Sequence, residues 1–211
     1  MIIVDIETSG NFKPWKNGIW QIGALEFENP SNTFLQEARI DDEDCVEKEA
    51  LKVIGKTEEY LRDKKKQSQK QLLENFFNWS GKARDNILVA HNISFDYGFL
   101  FLRAEKYGLK FSFGYRNFDL HVIAAYKYFE INGHFLIEDG RSKMNLSNVM
   151  EFCGMKDTRI QLKEKEVVRE GTPHNGLEDA IIEAECLSRI LYGKSLFKDF
   201  AKFSIPEYLK K

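Results

Sequence analysis

Apolar and polar residues repeat with two different periods along the chain, and the change from one to the other marks its elements. Ile2, Ile3, Val4 and Ile6 form a short apolar run ended by Thr8-Ser9-Gly10, the pattern of a buried strand interrupted by Asp5 and Glu7. Residues 19–27 and 33–40 read as two further strands with Asn29-Pro30-Ser31-Asn32 as the turn, so an antiparallel meander is predicted. From about Asp44 to Trp79 the spacing is helical, with Val46, Ala50, Leu51 and Ile54 on one face, Leu72, Leu73, Phe76 and Phe77 on another, and Gly55 dividing them. Ile87-Leu88-Val89-Ala90 is a short buried strand before a helix bearing Phe95, Phe99 and Leu102. Asn117-Phe118-Asp119 ends another strand before the apolar helix Val122 to Phe129. Leu146, Val149, Met150 and Cys153 fit a helix capped by Gly154, and Ala180, Ile181, Ala184, Leu187 and Leu191 give the clearest amphipathic helix. The charged, unpatterned stretch 156–172 reads as an insertion or mobile loop. Strands first and strand–helix alternation afterwards predict one α/β domain over residues 1–192, a mixed sheet flanked by helices. The tail, 193–211, is predicted to be a helix docked through Phe197, Phe200, Phe203 and Tyr208.

Composition narrows the class without naming the function. The 211 residues are 43% apolar, with 31 Lys and Arg against 33 Asp and Glu for a formal charge of −2. Those values suit a globular domain with a real core. No apolar run approaches the ~18 residues of a membrane-spanning helix, and the N-terminus lacks a signal-peptide layout, so a cytoplasmic location without membrane association is expected. Cys45, Cys153 and Cys186 are scattered, which indicates neither a disulfide framework nor a cysteine zinc site. The near-neutral balance argues against coating nucleic acid through bulk positive charge, though not against gripping one strand end.

The candidate chemistry lies in acids at strand ends and helix starts. Residues two apart on a strand share a face, so Asp5 and Glu7 project together, opposite Val4 and Ile6. Burying such a pair calls for hydrogen-bond donors or a cation; a strand end open to solvent is the ordinary alternative. Asp96 falls in the first turn of a helix that Asn92 or Ser94 can cap, where the helix dipole alone would favour it. His174 and Asp179 are too far apart around one helix to meet, so a shared site needs His174 on the preceding loop, which Pro173 and Gly176 suit. Asp119 is explained as a cap before Val122. Gly55-Lys56-Thr57 and Gly193-Lys194-Ser195 lack the leading glycine of a phosphate-binding loop, holding Ala50 and Ser188 there.

Together, Asp5-Ile6-Glu7-Thr8-Ser9-Gly10, His91-Asn92-Ile93-Ser94-Phe95-Asp96 and His174-Asn175-Gly176-Leu177-Glu178-Asp179-Ala180 resemble the three exonuclease motifs of the DnaQ-like family in its DEDDh branch. Ile19-Trp20-Gln21-Ile22-Gly23-Ala24, Asn117-Phe118-Asp119 and Leu146-Ser147-Asn148-Val149 extend the resemblance over roughly residues 1–192. It implies a ribonuclease H-like sheet and a metal-dependent 3′→5′ exonuclease that releases nucleoside 5′-monophosphates from single-stranded DNA or RNA. It also implies two divalent cations, Mg2+ or Mn2+, held by Asp5, Glu7, Asp96 and Asp179, with His174 as general base. Thr8, Asn92 and Phe95 are the implied substrate contacts, although Phe95 shares a face with Phe99 and Leu102 and reads as core, while Asn92 serves equally as a cap. The implied partners are 3′ ends of single-stranded nucleic acid and a DNA polymerase. A non-catalytic nucleic-acid-binding or polymerase-associated scaffold on the same fold is the alternative; it predicts loss of some carboxylates, and all are present. Residues 11–18 and the inserts around 131–144 and 156–172 lie outside the family pattern.

Overall fold

The computed structural model describes residues 1–11, 13–163 and 166–211. Its centre is a five-stranded sheet of order β3-β2-β1-β4-β5, built from β1 (Ile2–Thr8), β2 (Ile19–Glu26), β3 (Asn29–Glu37), β4 (Leu88–Ala90) and β5 (Phe118–Asp119). The first three strands form the antiparallel meander, and β4 and β5 join parallel to β1. One boundary differs from expectation. β3 begins at Asn29, so the turn is Phe27–Glu28 rather than Asn29–Asn32. Pro30 is tolerated in β3 because that strand lies at the sheet edge, where a missing N–H need not break the ladder.

Side-chain alternation along β1 decides the layers. Ile2, Val4 and Ile6 pack with α3 (Gln69–Ser80) and α4 (Ile93–Lys106) through Leu72, Phe76, Phe99 and Leu100. Ile3 belongs to the opposite layer, with Leu120, Val149, Ala180 and Leu187 of α5 (Leu120–Asn132), α6 (Leu146–Phe152) and α7 (Gly176–Tyr192). Asp5 and Glu7 share the Ile3 side, which puts them under α7. That helix meets the sheet without the usual cushion of side chains. A Cβ on Gly23 would lie 1.9 Å from the Leu177 nitrogen, and one on Gly176 would lie 2.7 Å from the Asp5 carbonyl oxygen. The Gly176 N–H donates to Gln21 Oε1 at 2.8 Å and fixes the contact.

The stretch after the meander breaks into α1 (Lys48–Ile54), α2 (Glu58–Leu61) and α3. Gly55 closes α1 in the left-handed conformation at φ 62°, and Gly193 closes α7 at φ 65°, so both rejected phosphate-loop strings are helix ends. One further region differs from expectation. Residues 156–172 hold a hairpin, β8 (Gln161–Lys163) with β9 (Glu166–Arg169), instead of an unstructured loop. Most of β9 is open to solvent, so no apolar alternation marked it. A second hairpin, β6 (Ile137–Glu138) with β7 (Arg141–Ser142), lies within the other insert.

The tail is not a continuous helix; it makes two single 3-10 turns, Lys198–Phe200 and Glu207–Leu209, with Pro206 directly before the second. Its Leu209 is buried in the α5–α7 core, with Phe197, Phe200 and Phe203 packed against it. A buried ion pair on α7 anchors it: Arg189 Nε lies 2.6 Å from Glu185 Oε1, both side chains fully enclosed. Glu185 Oε2 accepts the Leu196 and Phe197 N–H groups, and Arg189 donates to the carbonyls of Cys153 and Phe200. Glu185→Ala would strand the guanidinium in the core, so stability should fall by about 3–5 kcal/mol, on the order of 10 °C in melting temperature. Thermal melts check this; an unchanged midpoint would show that the pair contributes nothing. Among the described residues no helix is long and apolar enough to cross a membrane.

Candidate active site

The three sequence motifs meet at one end of the sheet. Asp5 and Glu7 line a cleft of about 250 Å³ together with Thr8, Asn11, Phe95, His174 and Asp179, and Ala50, Val53 and Ile54 of α1 form its far wall. Asp96, in the first turn of α4, is buried and its Oδ1 accepts the Ile6 N–H at 3.1 Å. That bond ties the second motif to β1 between Asp5 and Glu7. Asn92 precedes α4 in the left-handed conformation at φ 64°, which asparagine tolerates, and its side chain makes no capping bond. Asp119 instead accepts the N–H groups of Asn92 (3.1 Å) and His121 (2.8 Å), so it is the cap expected for α5.

Asn175 caps α7 by accepting from Leu177 and Glu178, which leaves His174 on the loop before the helix and Asp179 in its first turn. His174 Nδ1 lies 3.2 Å from Asp179 Oδ2, while Nε2 lies 3.0 Å from the Ile160 carbonyl oxygen. A carbonyl only accepts, so the hydrogen belongs on Nε2 and Nδ1 is the nitrogen able to take a proton. Glu7, His174 and Asp179 offer ligand atoms that all lie within 4.8 Å of one another.

Of the implied substrate contacts, Thr8 and Phe95 line this cleft, and Asn92 lines a neighbouring one with Pro14, Ser94 and Phe95. The Thr8 hydroxyl donates to the Gly10 carbonyl at 2.7 Å. Phe95 is half-buried against Phe99, ring centroids 4.9 Å apart, and forms part of both clefts, so it is not purely core.

Two charged residues at the site escaped the sequence. Glu183 lies one turn beyond Asp179 on α7 and is 1% exposed, with Oε1 accepting the His91 N–H at 3.1 Å and Oε2 without a hydrogen-bond partner. Its position four residues after Asp179 was the available signal. Arg159, from the segment read as a loop, has Nη1 3.0 Å from Asp179 Oδ1, an ion pair without hydrogen-bond alignment.

So many acids in one buried place repel their own charge. Burial, then the neighbouring carboxylates of Asp179, Glu7, Glu183 and Asp96, hold Asp5 well above the usual carboxylate range. Burial and Asp179 push Glu7 up to about 8 against the pull of His174 and Arg159, and burial pushes Asp96 up to about 8. Burial disfavours a charged His174, but the Asp179 carboxylate outweighs it and the imidazole is raised. A raised folded-state pKa stabilises below the unfolded value and loses that contribution as pH climbs through the folded one. In chelator the protein should therefore lose stability between about pH 5 and pH 8. Melts across that window check it, and a midpoint that rises toward pH 8 would contradict it.

The donor set fits hard divalent cations: carboxylate oxygens clustered beside one imidazole, with a charge deficit that only protons or added cations relieve. A mixed sheet whose central strand presents two acids to acids and a histidine at two helix starts defines a ribonuclease H-like nuclease. The exonuclease family model (RNase_T) matches residues 2–187, and the chain belongs to that family, in its DnaQ-like, DEDDh group. Membership implies divalent metal ions.

The chain is 33% identical over 110 residues to the DNA polymerase III subunit epsilon of Buchnera aphidicola subsp. Schizaphis graminum, a match covering 47% of this chain and 43% of that protein. It therefore spans less than half the length of that curated relative. Among solved structures, the nuclease domain of 3′hExo, a DEDDh family member bound to rAMP, superposes with a TM-score of 0.63 at 20% identity, covering 98% of this chain and 95% of that one. Cell-death related nuclease 4 gives a TM-score of 0.66 at 13% identity, covering 90% and 62%. These likenesses establish the ribonuclease H-like fold.

Proposed function

We propose that the protein is a metal-dependent 3′→5′ exonuclease that shortens single-stranded nucleic acid by one nucleoside 5′-monophosphate at a time. The observation that carries this reading is the meeting of Asp5, Glu7, Asp179 and His174 in one cleft, with Asp96 buried beside it on the Ile6 N–H. Asp5, Glu7, Asp96 and Asp179 would hold two divalent cations, Mg2+ or Mn2+. Bound there, such ions supply Lewis-acid stabilisation of the attacking and leaving oxygens. His174 takes the proton of the attacking water at Nδ1 as the water oxygen bonds to phosphorus; the P–O3′ bond breaks with its electron pair going to O3′, which takes a proton from solvent, so the shortened strand ends in a 3′-hydroxyl. Thr8 and Phe95 line the space where the terminal nucleotide would sit, and Asn92 borders the adjoining cleft.

The relatives point to both nucleic acids, a DNA polymerase III subunit on one side and a nuclease domain bound to rAMP on the other. Single-stranded 3′ ends are the proposed substrate, and association with a DNA polymerase and a cytoplasmic location extend the proposal from the epsilon-subunit likeness. Matched 5′-labelled DNA and RNA oligonucleotides of several lengths, incubated with Mg2+ or chelator, test it. The expected result is a ladder of shortened products in Mg2+ and intact strands in chelator. Intact strands in both, or shortening that ignores chelator, would sink the assignment.

A further inference from the structure

Arg159 reaches the site from outside the family's motif pattern. The segment between α6 and α7 touches two site residues in succession: the Ile160 carbonyl holds His174, and Arg159 holds Asp179. Arg159 is 7% exposed and its guanidinium is gripped from behind, with Nε and Nη2 donating to the Asp157 carboxylate at 3.0 and 3.1 Å. Asp157 is itself braced by the Ser147 hydroxyl at 2.5 Å and by Arg169 at 3.1 Å. The remaining nitrogen, Nη1, faces Asp179 Oδ1. The other oxygen of Asp179, Oδ2, is the one turned to His174.

We propose that Arg159 is a positioning residue for metal capture: it pins one oxygen of Asp179 so that the other is presented toward Glu7 and His174 before any ion arrives. The inference rests on the reading of Asp179 as a metal ligand. A guanidinium suits the task because its planar fork bridges two carboxylates, Asp157 and Asp179, whereas a lysine ammonium is a single point charge. The orienting contact also offsets one of the charges that crowd the cleft without occupying the face shared with Glu7.

Calorimetric titration of Mn2+ into the full chain tests this, comparing wild type with Arg159→Gln, Arg159→Lys and Arg169→Gln. Loss of a group that orients a metal-ligating side chain costs ~10–100-fold in metal affinity, so Arg159→Gln should weaken Mn2+ binding by that factor and Arg159→Lys should recover part of it. Arg169→Gln, which touches Asp157 and the Arg159 carbonyl but not Asp179, leaves the Ser147 brace and the Arg159–Asp179 pair in place and should weaken Mn2+ binding by clearly less than Arg159→Gln. With saturating oligonucleotide, Arg159→Gln should lower kcat while KM stays near wild type. Binding of Mn2+ by Arg159→Gln as tightly as by wild type overturns the proposal. Equal weakening in Arg169→Gln does so too, by tracing the effect to the hairpin's fold. Should Arg159→Gln not fold, Asp157→Asn loosens the same guanidinium and must weaken Mn2+ binding, or the proposal fails. If wild type itself takes up no Mn2+, the assignment of Asp179 fails first.

Discussion

Asp5→Asn should cut exonuclease turnover by at least ~10³-fold and, in the same molecule, raise the melting temperature of the metal-free protein. The two effects share one cause. A metal that polarises a phosphoryl oxygen supplies several kcal/mol of transition-state stabilisation, and each ~1.4 kcal/mol is tenfold in rate, so losing a ligand costs orders of magnitude. Without metal, the carboxylate is a liability, half-buried beside Asp179, Glu7, Glu183 and Asp96 and held well above its usual pKa. An amide of the same shape removes that repulsion, an instance of sites traded against stability. Added Mg2+ should raise the wild-type melting temperature and leave that of Asp5→Asn nearly unmoved, since only binding to the folded state stabilises it. Melts at pH 8 with and without Mg2+, beside a turnover assay, read both halves. A variant that melts lower than wild type in chelator would refute the electrostatic account even if activity were lost.

Gly23→Ala is the second large effect, although Gly23 bears no chemistry. The new methyl would sit 1.9 Å from the Leu177 nitrogen at the start of α7. Ordinary contact needs roughly 1.5 Å more, and backbone cannot rotate away as a side chain can. α7 must lift, and with it Asp179 and the His174 loop. Overpacking of this kind costs ~1–3 kcal/mol, and ~1 Å of misplacement at a catalytic centre costs about 10²-fold in rate. Activity should therefore fall by about 10²-fold or more, with the melting temperature lower by several degrees. An active, unshifted Gly23→Ala protein would mean that α7 does not set the site.

Local signals made much of this architecture legible. β1 was readable because its apolar run is bounded, and its period of two put Asp5 and Glu7 on one face. The place of His174 on a loop followed from the distance between it and Asp179 along the chain. Gly23 was half legible: an isolated glycine in a strand marks a close backbone approach, but not what approaches. Arg159 and Glu183 were missed for different reasons. Glu183 sat within the amphipathic pattern of α7, one turn from an acid already chosen, in a place normally apolar. Arg159 lies just before the β8–β9 hairpin, in a charged stretch where no periodicity announces structure, and its partner is twenty residues further along the chain. The tail turned out irregular because it is held by α7 and the core, not by its own helical hydrogen bonds.

Helix α7 sets a mechanical asymmetry across the cleft. Its first turn is pressed onto bare backbone at Gly23, and its later turns are locked by Glu185 and Arg189, so one jaw has no slack. The opposite jaw, α1, is a seven-residue helix, and the His174 N–H on the loop before α7 donates to its Val53 carbonyl. The cleft is thus walled on one side by a helix seated directly on backbone and on the other by a helix seated on side chains, with Ala50 and Ile54 buried beneath it.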